Sequence, residues 1–163
     1  MPTKTETWTF DLGNNCGWAC RLDDTGLIHS GVERFNPGGR DEGIGRRYLR
    51  FRAFILKRFD IALSRGYLVR EVRYEAVQFL VEGAGANAPH QWGGFEAILT
   101  AWCEGRRIRY RGIAPATLKK AATGNHKASK DDVTRAVKMK FGIDPIIDDN
   151  HGDSLALLCC DKP

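Results

Sequence analysis

Three short β-rich runs fill the first 35 residues, and their spacing constrains the fold more than any other feature. "TWTFDL" (7–12), "GWACRL" (17–22) and "LIHSGVERF" (27–35) are separated only by turn residues. Strands joined this tightly read as an antiparallel meander, so a sheet opens the chain. After the Gly/Pro-rich loop "NPGGRDEGIG", residues 46–65 place Leu49, Phe51, Phe54, Ile55, Phe59 and Leu63 close to helical spacing, with basic residues mainly on the other faces. "VREVRYEAVQF" (69–79) is rich in branched and aromatic residues and reads as a fourth strand inside the sheet. A helix over 90–104 and a fifth strand over 107–113 follow. Pro115 opens a short helix through Lys120, and Ser129 with Asp131 and Asp132 signals a helix over 130–140 that Gly142 and Pro145 end. The last helix starts near Asn150.

Three strands, helix, strand, helix, strand, helices is the order of a five-stranded mixed α/β sheet flanked by helices, its first three strands antiparallel. It is also the order of the ribonuclease H-like fold. A length of 163 residues suits one domain over 1–163. No apolar run approaches the roughly 18 residues of a membrane span, and "MPTKTETWTF" lacks the apolar core of a signal peptide. A cytoplasmic protein is expected. Its cysteines (Cys16, Cys20, Cys103, Cys159, Cys160) lie mostly in apolar segments and read as reduced core thiols. A zinc site from Cys16, Cys20, His151 and the Cys159–Cys160 pair is conceivable, but no CxxC pair supports it.

A net charge of +5 favours a polyanionic partner, and the distribution says more than the total. Arg46, Arg47, Arg50, Arg52, Lys57 and Arg58 stud one segment. Arg106, Arg107, Arg109 and Arg111 stud a second, and Lys119, Lys120, Lys127 and Lys130 a third. Three basic clusters in a chain this small suggest a nucleic-acid footprint. Gly83 and Gly85 make no phosphate loop, since no GKS or GKT follows, and no small-molecule cofactor is expected.

The acids carry the chemistry. Asp11 ends the first strand beside Gly13, a pattern that by itself is an ordinary turn. Glu75 sits in "VRYEAVQF", where its neighbours argue for burial; a buried carboxylate needs a cation, either a neighbouring arginine or a metal. In "DDNHGDSLALL" (148–158), Asp149 and Asp153 are four apart and share a helix face, while Leu155, Leu157 and Leu158 anchor the helix to the sheet. Capping accounts for Asp148 or Asp149 but not for Asp153, one turn further in. Asp11, Glu75, Asp149 and Asp153 would repel one another in an empty site. Hard divalent cations resolve that conflict: Mg²⁺, with Mn²⁺ as substitute, as a pair of ions about 4 Å apart on a phosphodiester.

These motifs resemble one family. "DLGNNCGWA" looks like the opening Asp-x-Gly…Gly motif of RuvC-type Holliday junction resolvases, "RYEAVQF" like their glutamate strand, and "DNHGDSLAL" like their closing acidic helix. "LKKAATGNHKASK" is similar to the family's lysine segment, with Lys119 and Lys130 at matching spacing, and "NAPHQWGGFEAILTAWCE" looks more like the phage-encoded branch. The resemblance spans nearly the whole chain. It implies a ribonuclease H-like fold, a homodimer, and Mg²⁺-dependent cleavage of four-way and other branched DNA by Asp11, Glu75 and Asp153, in the cytoplasm of a bacterial host if phage-encoded. Many members carry Asp or His three residues before the last aspartate, where this chain has Asn150; a four-residue spacing selects Asp149, the better hard-cation ligand. His151 falls on nearly the opposite helix face, for a surface or capping role.

From the motif match, Lys119 and Lys130 are expected near the scissile phosphate. Arg46, Arg47, Arg50, Lys120 and Lys127 are expected to contact DNA, though solvated lysine is the bland reading of the last two. Phe79 either stacks on an unpaired base or packs in the core. On helix 90–104, Trp92, Phe95, Leu99 and Trp102 form one stripe, and Gly93, Ala97 and Ala101 a second, for contact with a second copy or for burial within the monomer. RNA–DNA hybrid, flap or fork cleavage and non-catalytic junction binding are the rival readings.

Overall fold

The computed structural model describes residues 3–77 and 87–161, with the backbone alone at 87–89. Strand β1 (Lys4–Asp11) pairs antiparallel with β2 (Asn15–Leu22), and β2 with β3 (Ile28–Arg34), which is the expected meander. Helix α1 (Arg46–Ser64) returns the chain so that β4 (Tyr67–Glu75) runs parallel to β1, and α2 (Asn87–Arg106) returns it again for β5 (Arg109–Ile113), parallel to β4. Three helices close the chain: α3 (Pro115–Thr123), α4 (Lys130–Phe141) and α5 (Asp149–Leu157). The strand order β3-β2-β1-β4-β5 makes a five-stranded mixed sheet flanked by helices, the ribonuclease H-like arrangement. No helix among the described residues is long and apolar enough to cross a membrane.

Strand alternation assigns the two faces of this sheet different work. Trp8, Phe10 and Leu12 of β1 and its end, Cys16, Cys20 and Leu22 of β2, and Val72 and Tyr74 of β4 pack with Phe51 and Ile55 of α1 and Phe95 and Leu99 of α2. Full burial of one such large side chain is worth roughly 1.5–3 kcal/mol, so this face holds the two long helices in place. The opposite face presents Thr7, Thr9, Asp11, Gly17, Ala19, Arg73 and Glu75, and α5 lies across it above β2, β1 and β4. Leu155, Leu157 and Leu158 anchor α5 as expected, each 0% exposed.

Several expectations need correction. The fourth strand ends at Glu75, because both neighbours end there: β1 at Asp11, and β5 at Ile113, the partner of Glu75. One further bond, Ala76 N–H to the Ile113 carbonyl, closes the ladder, and Phe79 lies outside the described residues. Leu49 and Leu63 of α1 are exposed, because the helix meets its sheet along the narrower stripe of Phe51, Ile55 and Ala62. The five cysteines are free thiols as expected. The zinc alternative fails among the described residues: Cys16 and Cys20 lie in the core beneath α1 and α2, whereas Cys160 packs in the separate core beneath α5.

Candidate metal centre

Asp11 and Glu75 are the last residues of adjacent parallel strands, with Phe10 paired to Tyr74 immediately before them, so their carboxylates emerge together at one sheet edge. Asp153 reaches the same point from α5. One oxygen from each of Asp11, Glu75 and Asp153 lies within 4.8 Å of the others. Among the described residues no cation closes on any of the three to ion-pair distance; the ammonium charges of Lys130 and Lys119 act from further away. The electrostatics record the conflict. Burial, then the charges of Glu75 and Asp153, holds the Asp11 carboxyl well above its ordinary range. Burial and Asp153 push Glu75 up to about 7. Asp153 is also raised, by burial first and then by Asp149, against the pull of Lys130 and Lys119. Three half-buried oxygen donors that all resist ionisation together fit a hard divalent cation, which removes the repulsion and replaces lost hydration.

Bringing a helix this close to a sheet takes a gap in the sheet surface. Gly17 supplies it, directly opposite Asp11 in the β1–β2 register. A Cβ on Gly17 would lie 1.8 Å from the Asn150 carbonyl oxygen and 2.9 Å from the His151 nitrogen, both backbone atoms. The first turn of α5 therefore rests on the glycine itself. Asp148 caps α5, its carboxylate accepting the His151 N–H at 2.9 Å. Thr9 Oγ1 donates to the Ser154 carbonyl at 2.7 Å, stitching the middle of the helix to β1.

Of the two roles expected for His151, surface and capping, the structure has the second: the residue is buried, 3% exposed, and its ring bonds the backbone at the start of α5. Its Nδ1 accepts the Ile147 N–H at 3.1 Å, so the proton sits on Nε2, which donates to Ser30 Oγ of β3 at 2.8 Å. Burial lowers its pKa, which keeps the ring neutral. With Nδ1 occupied by a backbone donor, this histidine has no free basic nitrogen for proton transfer. It is a pin.

The far end of α5 is held by an arginine network that the sequence reading did not identify. Arg73 of β4, 1% exposed, donates through Nε to Glu71 at 2.9 Å and through Nη1 to the Leu157 carbonyl at 3.2 Å. Arg21 of β2 and Arg73 share the Asp161 carboxylate, at 2.6 and 3.3 Å, and Arg111 of β5 bonds Glu71 at 2.9 Å. Cations here also meet the negative end of the helix dipole. The signal was present in Glu71, Arg73 and Glu75, which alternate along one strand and so must share a face.

Asp149 is not brought into the cluster. Its side chain is 56% exposed, and its Oδ2 lies 3.3 Å from Lys130 Nζ. Burial lowers the affinity of the Lys130 ammonium for its proton, and the Asp149 hydrogen bond with the charges of Asp149, Asp153 and Asp11 more than reverses this. Lys119, on α3, acts on Glu75 and Asp153. Lys120 and Lys127 are exposed. At the start of α1, Arg46 and Arg50 lie 3.8 and 2.8 Å from Glu42, whereas Arg47 is buried and donates from Nε to the Ile44 carbonyl at 3.0 Å. Arg47 is thus turned inward, unlike the exposed Arg46 beside it.

No family model and no curated protein matches the sequence. Solved structures match throughout. Thermus thermophilus RuvC shares 18% identity, covering 95% of this chain and 92% of its own, with a TM-score of 0.69. The T. thermophilus RuvC complex with a Holliday junction substrate gives 19%, 95% and 91%, with a TM-score of 0.74. The yeast mitochondrial Holliday junction resolvase Ydc2 gives 12%, 97% and 77%, with a TM-score of 0.56. The chain has the ribonuclease H-like fold of the RuvC-type resolvases, with a clustered acidic triad at one edge of its sheet.

Proposed function

We propose that the protein is a divalent-metal-dependent endonuclease that nicks branched DNA symmetrically, four-way junctions above all. Asp11, Glu75 and Asp153 hold Mg²⁺ or Mn²⁺, two ions per site. The observation that carries this reading is the cluster of three carboxylates from three separate elements, each with its pKa raised. Such a cluster is costly to keep without a cation.

Divalent metal, when bound, supplies the Lewis acidity that activates water and stabilises the oxygen leaving phosphorus. Asp11 and Glu75 set its position from rigid strand ends, and Asp153 completes the set from α5. Lys119 and Lys130 offset the charge that builds on the phosphate in the transition state. Lys120, Lys127 and Arg46 are exposed and suit backbone phosphates, which fix register without reading sequence. Phe79 is proposed to stack at the branch point.

Two symmetric nicks need two centres related by a two-fold axis, and the described residues of one chain contain one acidic cluster, so the working unit is a homodimer. Ala97 and Ala101 of α2 are exposed, and Gly93 borders open space, leaving that small-residue stripe available to a second copy. The resemblance of the 87–104 segment favours the phage-encoded branch, with action in the cytoplasm of a bacterial host.

The test is a panel of labelled four-way, three-way, flap, duplex and RNA–DNA hybrid substrates with Mg²⁺. Paired nicks in the four-way junction are expected, and Asp11→Asn should bind that junction without cutting it. Preferential cutting of the hybrid would move the reading to another substrate class. Equal, metal-independent behaviour of wild type and Asp11→Asn would leave only junction binding.

A further inference from the structure

We propose that Asp149 is a positioning residue for Lys130 and not a fourth metal ligand, an inference that rests on the metal-centre reading above. Four observations carry it. Asp149 is absent from the group whose oxygens converge within 4.8 Å, and its carboxylate is turned 3.3 Å from Lys130 Nζ. Neither residue is needed as a cap, since Asp148 caps α5 and Ser129 with Asp132 forms the capping box of α4. Lys130 stands in the first turn of α4, where Asp131 and Asp132 already complement the helix dipole, so its cation does not serve the helix end. Stability does not account for the pair either. With side chains 64% and 56% exposed, it belongs to a class worth at most about 1 kcal/mol.

The backbones fix the reach of the pair. Gly152 brings α5 against α4, a Cβ there falling 3.1 Å from Thr134 Oγ1, so the two first turns stand side by side at the edge of the cluster. Held by Asp149, the Lys130 ammonium exerts its charge on Asp11, Glu75 and Asp153 together. The metal neutralises those acids once bound, and the ammonium is then already placed for a phosphate at the centre. Lys119 has no carboxylate partner at ion-pair distance among the described residues and is free to adjust.

The experiment combines Mn²⁺ titration of the metal-free protein with single-turnover cleavage of a four-way junction and the acetylation rate of Lys130 measured by mass spectrometry. Asp149→Asn should bind Mn²⁺ within about twofold of wild type, whereas Asp153→Asn should lose binding, because only the second removes a converging oxygen. The Asp149→Asn single-turnover rate at saturating enzyme should fall roughly tenfold with little change in the enzyme concentration that gives half of it, as for a misplaced charge-stabilising group. Asp149→Glu should restore most of it. Asp149→Asn added to Lys130→Met should cost nothing more than Lys130→Met alone, and Lys130 should acetylate faster in Asp149→Asn. A tenfold or greater loss of Mn²⁺ affinity in Asp149→Asn would make Asp149 a ligand and overturn the proposal, as would multiplying losses in the double variant. If wild type cuts nothing, the nuclease reading fails, while the Mn²⁺ and acetylation measurements still decide the role of Asp149.

Discussion

Gly17→Ala tests the construction of the centre without touching a charged group. The added Cβ would stand 1.8 Å from the Asn150 carbonyl oxygen and 2.3 Å from its carbon, where ordinary contact begins at 3.4 Å. Both partners are backbone, so no side-chain rotation relieves the clash and the first turn of α5 must lift by about 1.5 Å. The other end of the helix stays fixed by Arg73 on the Leu157 carbonyl and by the Asp161 pairs. The helix therefore pivots, carrying Asp153, one turn in, about 1 Å from Asp11 and Glu75. Misplacement of that size costs on the order of 100-fold in rate, and overpacking of this kind about 1–3 kcal/mol in stability. Single-turnover cleavage well below the melting temperature, with Mn²⁺ titration alongside, separates the two effects. Gly31→Ala in β3 is the control, since its Cβ would meet the Trp18 ring at an ordinary 3.4 Å. Near wild-type cleavage and Mn²⁺ affinity in Gly17→Ala would refute the claim that this glycine sets the position of Asp153.

Glu75 has a folded pKa of about 7 against an ordinary 4.5, so the unfolded chain releases its proton first as pH rises. The metal-free protein should lose on the order of 3 kcal/mol between those values and melt lower at pH 8 than at pH 5. Glu75→Gln should recover most of that at pH 8, and a melting temperature independent of both pH and the substitution would contradict it. Arg73→Met leaves Glu71, Asp161 and the Leu157 carbonyl without their shared partner. Because Arg111 still pairs with Glu71 and Arg21 with Asp161, a loss of about 1–3 kcal/mol is expected in denaturant titration, and no measurable loss would show that the network is dispensable. Ala97→Arg, on the exposed stripe of α2, should convert a species of about twice 18.2 kDa to monomer in sedimentation and abolish paired nicking. A wild-type monomer that makes both cuts in one binding event would rule out the dimer.

The sheet was legible because its signals are local. The meander lies in three runs joined by tight turns, and the return helices carry their apolar residues at helical spacing, so element order followed. The triad was legible for a related reason: Asp11 and Glu75 stand at strand ends, and Asp153 has no capping role to explain it away. What the sequence concealed depends on which backbone meets which. Gly17 reads as the opening of a strand, and only the register opposite Asp11 with α5 above it turns the missing Cβ into a seat for a helix. His151 reads as a surface or capping residue because helical geometry places it opposite Asp153; it does bond the backbone at the helix start, but the face opposite the acids is buried and packs on β3 through Ser30.

The way α5 is held explains how nine residues can place a metal ligand. A helix that short has almost no stability of its own, and its position must come from outside. Here the contacts fall at both ends and the middle: Gly17 and Ser30 below the first turn, Thr9 under Ser154, and arginines from β2, β4 and β5 at the last turn. All five strands thus fix one helix, two of them being the strands that end in Asp11 and Glu75. The three carboxylates therefore share a single rigid frame, and error in their spacing does not accumulate through loops. Lys130 is held on α4 by Asp149, whereas Lys119 comes from α3, outside the sheet, where position can follow a bound phosphate. Carboxylates on the frame and an adjustable lysine off it is the division that the proposed function calls for, a centre that holds metal before DNA arrives and adapts to the phosphate afterwards.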